Sequence, residues 1–174
     1  MTPDDNRPGD RPADDVAARY ARIRRRIERA CVRAGRDVDS VTLVGASKIQ
    51  PVERLQAAWR AGLRIFGENR VQEARDKRPH LPEEASWHLL GPLQSNKARL
   101  AVSLFSGVHW IDRLKFGRIL DRVAARAGPR LAAFGEGNRG DDATKHGCAG
   151  AARFATTAPR GDYDPRGVVG VLSL

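Results

Sequence analysis

An α/β fold built on a parallel sheet is what the amino-acid pattern of this chain predicts, and three observations carry that expectation. Short apolar runs alternate with segments of helical periodicity four times between residues 41 and 127, at the intervals typical of βα units. The first of these runs, over 41–48, is apolar and partly β-branched without strict alternation, as in a strand buried on both faces. Polar residues collect at the carboxyl ends of the runs: Lys48, Glu68 and Asn69, His88, Asp112 and Arg113. In a sheet made of βα units that edge is where sites are built.

Residues 1–14 are polar, acidic and proline-containing, and read as a disordered leader. A helix is expected from residue 15, because Val16, Tyr20, Ile23, Ile27, Ala30 and Cys31 recur at spacings of three and four. Asp14 or Asp15 can cap it, and Gly35 ends it. Arg19, Arg22, Arg24, Arg25, Arg26, Arg29 and Arg33 fall between the members of that stripe and should face water. Such a cluster could meet phosphates. No aromatic interleaving and no known nucleic-acid motif accompanies it, so a solvated helical face is the preferred reading.

A helix over 51–61 should follow the first strand, with Val52, Leu55, Ala58 and Trp59 on one side and Gly62 as its stop. The run over 63–69 is the second strand. The helix after it should stop near residue 78, because Pro79 disfavours helical backbone before it. A third strand over 86–93 leads into a helix opened by residues 94–97 and running to about residue 105. The fourth strand covers 108–112. Its helix covers 114–127, with Ile119, Leu120 and Val123 as the apolar row and Gly128 as the stop. The folded portion is placed at 15–148, with an atypical tail over 149–174.

A length of 174 residues suits one domain with a real core. Cys31 and Cys148 lie far apart and match no metal spacing, which points to a reducing compartment. His80, His88, His109 and His146 form no metal-binding pair. No apolar run is long enough to span a bilayer, and the leader lacks the apolar centre of a signal peptide. A soluble, cytoplasmic protein is the expectation.

Lys48 is the residue that raises a chemical question. A lysine at the end of a buried strand either snorkels to water or lies against low-dielectric surroundings that favour its neutral amine. The neutral amine is what Schiff-base chemistry with an aldehyde needs.

The order of motifs then becomes specific. Ala46-Ser47-Lys48-Ile49-Gln50-Pro51, Phe66-Gly67-Glu68-Asn69-Arg70-Val71-Gln72-Glu73 and Trp87-His88-Leu89-Leu90-Gly91-Pro92-Leu93-Gln94-Ser95-Asn96-Lys97 are followed by His109-Trp110-Ile111-Asp112-Arg113-Leu114 and, more weakly, Thr144-Lys145-His146-Gly147. In these stretches the chain resembles the pyridoxal phosphate homeostasis family, the single-domain barrels similar to the N-terminal part of alanine racemase. The resemblance covers residues 15–128.

It implies a (β/α)8 TIM barrel of the alanine racemase N-terminal type, incomplete here, that holds pyridoxal 5′-phosphate as a Schiff base on Lys48. It implies that Asn69 and His88 line the cofactor pocket. The function implied is vitamin B6 and amino- and keto-acid homeostasis by a cofactor-binding protein without established turnover. The partner is the small-molecule cofactor, with no nucleic acid and no membrane, and a monomer where the barrel is complete. A racemase-like enzyme is the alternative; it would need a second domain and an opposing tyrosine, and Tyr20 and Tyr163 supply no obvious candidate. Gln50 stands where members of the family often carry a lysine, which bears on cofactor exchange.

After Gly128 the pattern departs. Residues 130–140 break up where a fifth strand should lie, and 156–166 show no periodicity. Eight βα units need at least about 200 residues. A shortened or frame-disrupted member is therefore expected, with open strand edges that invite aggregation. A non-functional member is the remaining alternative. The cofactor's phosphate would then rely on helix N-termini and nearby basic groups.

Overall fold

The computed structural model describes residues 13–111, 114–127, 131–135, 137–138, 148–149 and 168–173. Strands β1 (Val41–Ala46), β2 (Ile65–Glu68), β3 (Ser86–Leu89), β4 (Gly107–Ile111) and β5 (Ala132–Gly135) pair in parallel, each beside the next. Two short strands, β6 (Gly137–Asn138) and β7 (Cys148–Ala149), pair with each other apart from this sheet. Strand β8 (Val168–Ser173) returns to the free side of β1, giving the order β5-β4-β3-β2-β1-β8. Among the described residues the sheet is open, with β5 and β8 as its edges.

The helices between the strands are where their periodicity puts them: α1 (Ala13–Ala34), α2 (Val52–Arg60), α3 (Val71–Lys77), α4 (Ala98–Leu104) and α5 (Leu114–Ala127). Gly35 and Gly62 end α1 and α2 in backbone that side chains disfavour, at φ +59° and +110°. Pro79 does not break the chain sharply: α3 gives way to a 3₁₀ turn, Arg78–His80.

The register sorts the sheet into two faces. Phe66 pairs with Trp87, and Leu89 with Val108. These four pack with Leu55, Ala58, Ala101 and Val102 into one apolar cluster between sheet and helices. Burying each such large side chain contributes roughly 1.5–3 kcal/mol. The alternate positions carry small residues and one imidazole in a single row, Ala46, Gly67, His88, Gly107 and Ala132. That row belongs to the other face.

Four sequence expectations change. The leader ends earlier than residue 14, because α1 begins at Ala13; the rest of the leader lies outside the described residues. Asp15 does not act as the expected cap but sits in the first turn, ion-paired to Arg19 at 2.9 Å. Ala30 is exposed, so the buried stripe of α1 narrows to Val16 and Cys31 with Tyr20, Ile23 and Ile27 half-buried. The fifth strand does form, as β5, although its sequence is short and glycine-containing. The edge of β4 templates it, and the Ala132 N–H donates to Ser106 O at 2.8 Å; pairing of this kind outweighs local propensity.

The tail also differs. Six consecutive residues of β8 pair with β1, from Val41↔Val168 to Ala46↔Ser173. The β1 edge is therefore covered, and the open edges expected of an incomplete barrel fall, among the described residues, at β5 and β8. No helix among the described residues is long and apolar enough to cross a membrane.

Candidate functional site

Lys48 lies in the turn that follows β1, and it is exposed rather than walled in by the strand. No described residue pairs with its ammonium group. Asn69 follows β2 and is half-buried. Because Ala46 pairs with Gly67, Lys48 and Asn69 each stand two residues past the same row, at the ends of adjacent strands. His88 sits in that row itself, on the next strand, paired with Gly67. The topology thus brings the three expected residues to neighbouring strand ends. Asp112, Lys145 and His146 lie outside the described residues.

Two close backbone approaches shape this edge. A Cβ at Gly91 would stand 2.4 Å from Asn69 O, so the loop after β3 touches the backbone of Asn69 directly. A Cβ at Gly107 would stand 2.8 Å from the His88 ring, so the imidazole lies over that glycine.

His88 is buried and does not act alone. Its Nδ1 is 2.9 Å from His109 Nε2, and one of the two rings must donate. Phe134 of β5 stacks on His109 with centroids 4.4 Å apart. Burial, helped by the neighbouring His109, pulls the His88 pKa down from 6.5 to about 4, and burial also lowers that of His109. Both rings are neutral at neutral pH.

On the helix side of the same strand ends lies a buried polar cluster. Glu68 is fully buried; its Oε1 accepts from Lys77 Nζ at 2.7 Å and from Ser47 Oγ at 2.8 Å. Lys77 Nζ also donates to Ser47 O at 2.8 Å and lies 3.8 Å from Glu73 Oε2. Burial pushes the Glu68 carboxyl above its ordinary range, against the pull of Lys77 and Ser47. Gln50 is buried beside this turn, and no described residue bonds its Oε1.

Sequence reasoning reached Lys48, Asn69 and His88 through the motifs that carry them. Lys77, His109 and Phe134 were not singled out. Lys77 is separated by 30 residues from the carbonyl it holds, and only the 73/77 spacing on one helix hints at a charge pair. Phe134 belongs to a strand whose sequence does not announce itself.

No family model matches the chain. Curated relatives do. A pyridoxal phosphate homeostasis protein of Pseudomonas aeruginosa is 39% identical over 135 residues, and that of Escherichia coli K12 is 38% identical over 138 residues. Each match takes in 77% of this chain and 59% of the relative's length. Among solved structures, PipY of Synechococcus elongatus with pyridoxal phosphate bound is 41% identical, with a TM-score of 0.52 over 65% of this chain and 54% of PipY. PipY without that ligand gives a TM-score of 0.58 at 39% identity, over 70% of this chain and 57% of PipY. Alanine racemase of Streptomyces coelicolor, at 20% identity and a TM-score of 0.51 over 76% of this chain and 35% of its own, shares the fold alone.

Proposed function

We propose, from the premise that this chain is homologous to the pyridoxal phosphate homeostasis proteins along the stretch they share, that it holds pyridoxal 5′-phosphate through Lys48. In this reading it serves vitamin B6 and amino- and keto-acid homeostasis in the cytoplasm. Asn69 and His88 line the site. The observation that carries the reading is the position of Lys48: an amine without a partner among the described residues, at a strand end adjoining Asn69 and one row beyond His88.

The residues present fit the aldehyde end of such a cofactor. The Lys48 amine is open to solvent, and the His88 imidazole is neutral. When bound, pyridoxal phosphate supplies an aldehyde carbon that a lysine amine can hold covalently. His88 would present a neutral ring paired through Nδ1 with His109 Nε2. Asn69 would offer an amide whose backbone is held in place by Gly91.

Of the two tyrosines a racemase-like mechanism could call on, Tyr163 lies outside the described residues and Tyr20 is engaged away from the strand ends. Its hydroxyl donates to Gly62 O at 3.0 Å in the helix layer, where α1 meets the end of α2. A racemase-like mechanism would ask for a tyrosine at the strand-end edge, and Tyr20 is committed elsewhere.

The test mixes purified protein with pyridoxal phosphate and records absorbance before and after borohydride, with Lys48→Ala alongside. A lysine-linked band that borohydride fixes onto the Lys48 peptide, and that Lys48→Ala lacks, is the expected result. Folded protein without such a band would overturn the reading.

A further inference from the structure

We infer that Lys77 is a positioning residue for Lys48: through Ser47 and Glu68 it fixes the strained turn that carries the amine. The inference rests on the reading of Lys48 just given.

The turn over 47–50 contains Ile49 at φ +63°. A β-branched side chain is disfavoured in that left-handed region, and such backbone persists only where its surroundings over-determine it. Packing of Ile49 does not do so, because the residue is 81% exposed. The constraint comes from Ser47 instead. Its N–H donates to Gly67 O at 2.8 Å, and its hydroxyl donates to Glu68 Oε1 at 2.8 Å. Its carbonyl accepts from Gln50 N–H at 3.1 Å and from Lys77 Nζ at 2.8 Å.

Ser47 ties the turn to β2, and Lys77 gives the shorter of its two ties to α3, the other being the Ile49 N–H to Glu73 Oε2 at 3.5 Å. Lys77 stands in the last turn of α3 with 14% of its side chain exposed, and it reaches both Ser47 O and Glu68 Oε1. The opposite oxygen, Glu68 Oε2, is buried and bonded by no described residue. Among the described residues, Lys77 and the Ser47 hydroxyl are the two groups that hold the Glu68 carboxyl in place. Without Lys77, Ser47 O retains only the Gln50 bond, and the one tie left between the turn and α3 among the described residues is the long contact of the Ile49 N–H to Glu73 Oε2, at 3.5 Å. Lys48, between Ser47 and Ile49, then loses its direction. Glu68 precedes Asn69 in sequence, so the same cation steadies the second strand end.

Amide hydrogen exchange of the 47–50 segment in cofactor-free protein tests the clamp, and borohydride trapping of pyridoxal phosphate on Lys48 tests its consequence. Lys77→Met should speed exchange of the segment roughly tenfold while the amides of β3 keep their protection. It should also lower the trapped yield, and Lys77→Arg should restore both. Exchange within about twofold of the parent protein would overturn the proposal. Faster exchange with unchanged trapping would overturn the link to Lys48. If Lys77→Met does not fold, the double variant Glu68→Gln/Lys77→Met removes both charges and is judged by the same criteria. Absence of trapping in the parent protein would sink the cofactor reading, while the exchange result still decides the clamp.

Discussion

His88 shows how one residue joins stability to the site. Its ring titrates at about 4 in the folded chain against an ordinary 6.5, because burial and the neighbouring His109 disfavour its cation. On acidification the unfolded chain therefore takes up this proton first. The contribution of neutral His88 to stability is complete above pH 6.5, falls through the window from 6.5 to about 4, and is lost below it. Over that window it is worth on the order of 3 kcal/mol. Glu68 acts in the opposite sense, since its raised carboxyl pKa means that protonation relieves a cost of burial. Urea unfolding of the parent and His88→Gln at several pH values should show a stability difference that shrinks with acidification across this window. A constant difference would remove the histidine from the acid sensitivity. The identity of His88 was legible from its motif; its lowered pKa was not, because it depends on burial in the fold and on His109 from the next strand.

Among the elements, the loops after β2 and β3 depend most on one glycine. A Cβ at Gly91 would meet the backbone of Asn69 at 2.4 Å from its oxygen and 3.0 Å from its Cα, and backbone cannot swing aside as a side chain can. Gly91→Ala should cost roughly 1–3 kcal/mol in urea unfolding, as overpacking does. It should also weaken retention of pyridoxal phosphate by moving Asn69; full retention would place Asn69 outside the cofactor's reach. The helices themselves were readable, since α2 and α5 follow their apolar rows closely. The basic face of α1 conforms in part: Arg22, Arg25, Arg26, Arg29 and Arg33 are exposed, opposite buried Val16 and Cys31, whereas Arg19 and Arg24 are half-buried. What periodicity could not give was the inward extent of α1, where Ala30 is too small to be drawn into contact.

At the scale of the whole molecule, β8 decides whether β1 has a free edge. All six residues of β1 pair with it, including Ala46, two residues before Lys48. Deleting residues 168–174 should expose that ladder and shift the protein toward concentration-dependent self-association, seen by light scattering. An unchanged, monodisperse protein would show that β8 does not protect the edge. The sheet remains open among the described residues, and the chain spans 59% of the length of its P. aeruginosa and E. coli relatives. The incomplete barrel expected from the resemblance and the chain length corresponds, among the described residues, to an open six-stranded parallel sheet.

By itself the sequence determined the alternation of β1 to β4 with their helices, and the motifs that place Lys48, Asn69 and His88 at strand ends. Those features are local: apolar runs, helical spacing and a few residues adjacent in the chain. Only the tertiary structure decided that β5 and β8 join the sheet, that burial and His109 keep His88 neutral, and that Lys77 holds the carbonyl beside Lys48. Each of these joins residues far apart in sequence, through a hydrogen bond, a ring contact or an edge pairing, and none leaves a periodic trace along the chain.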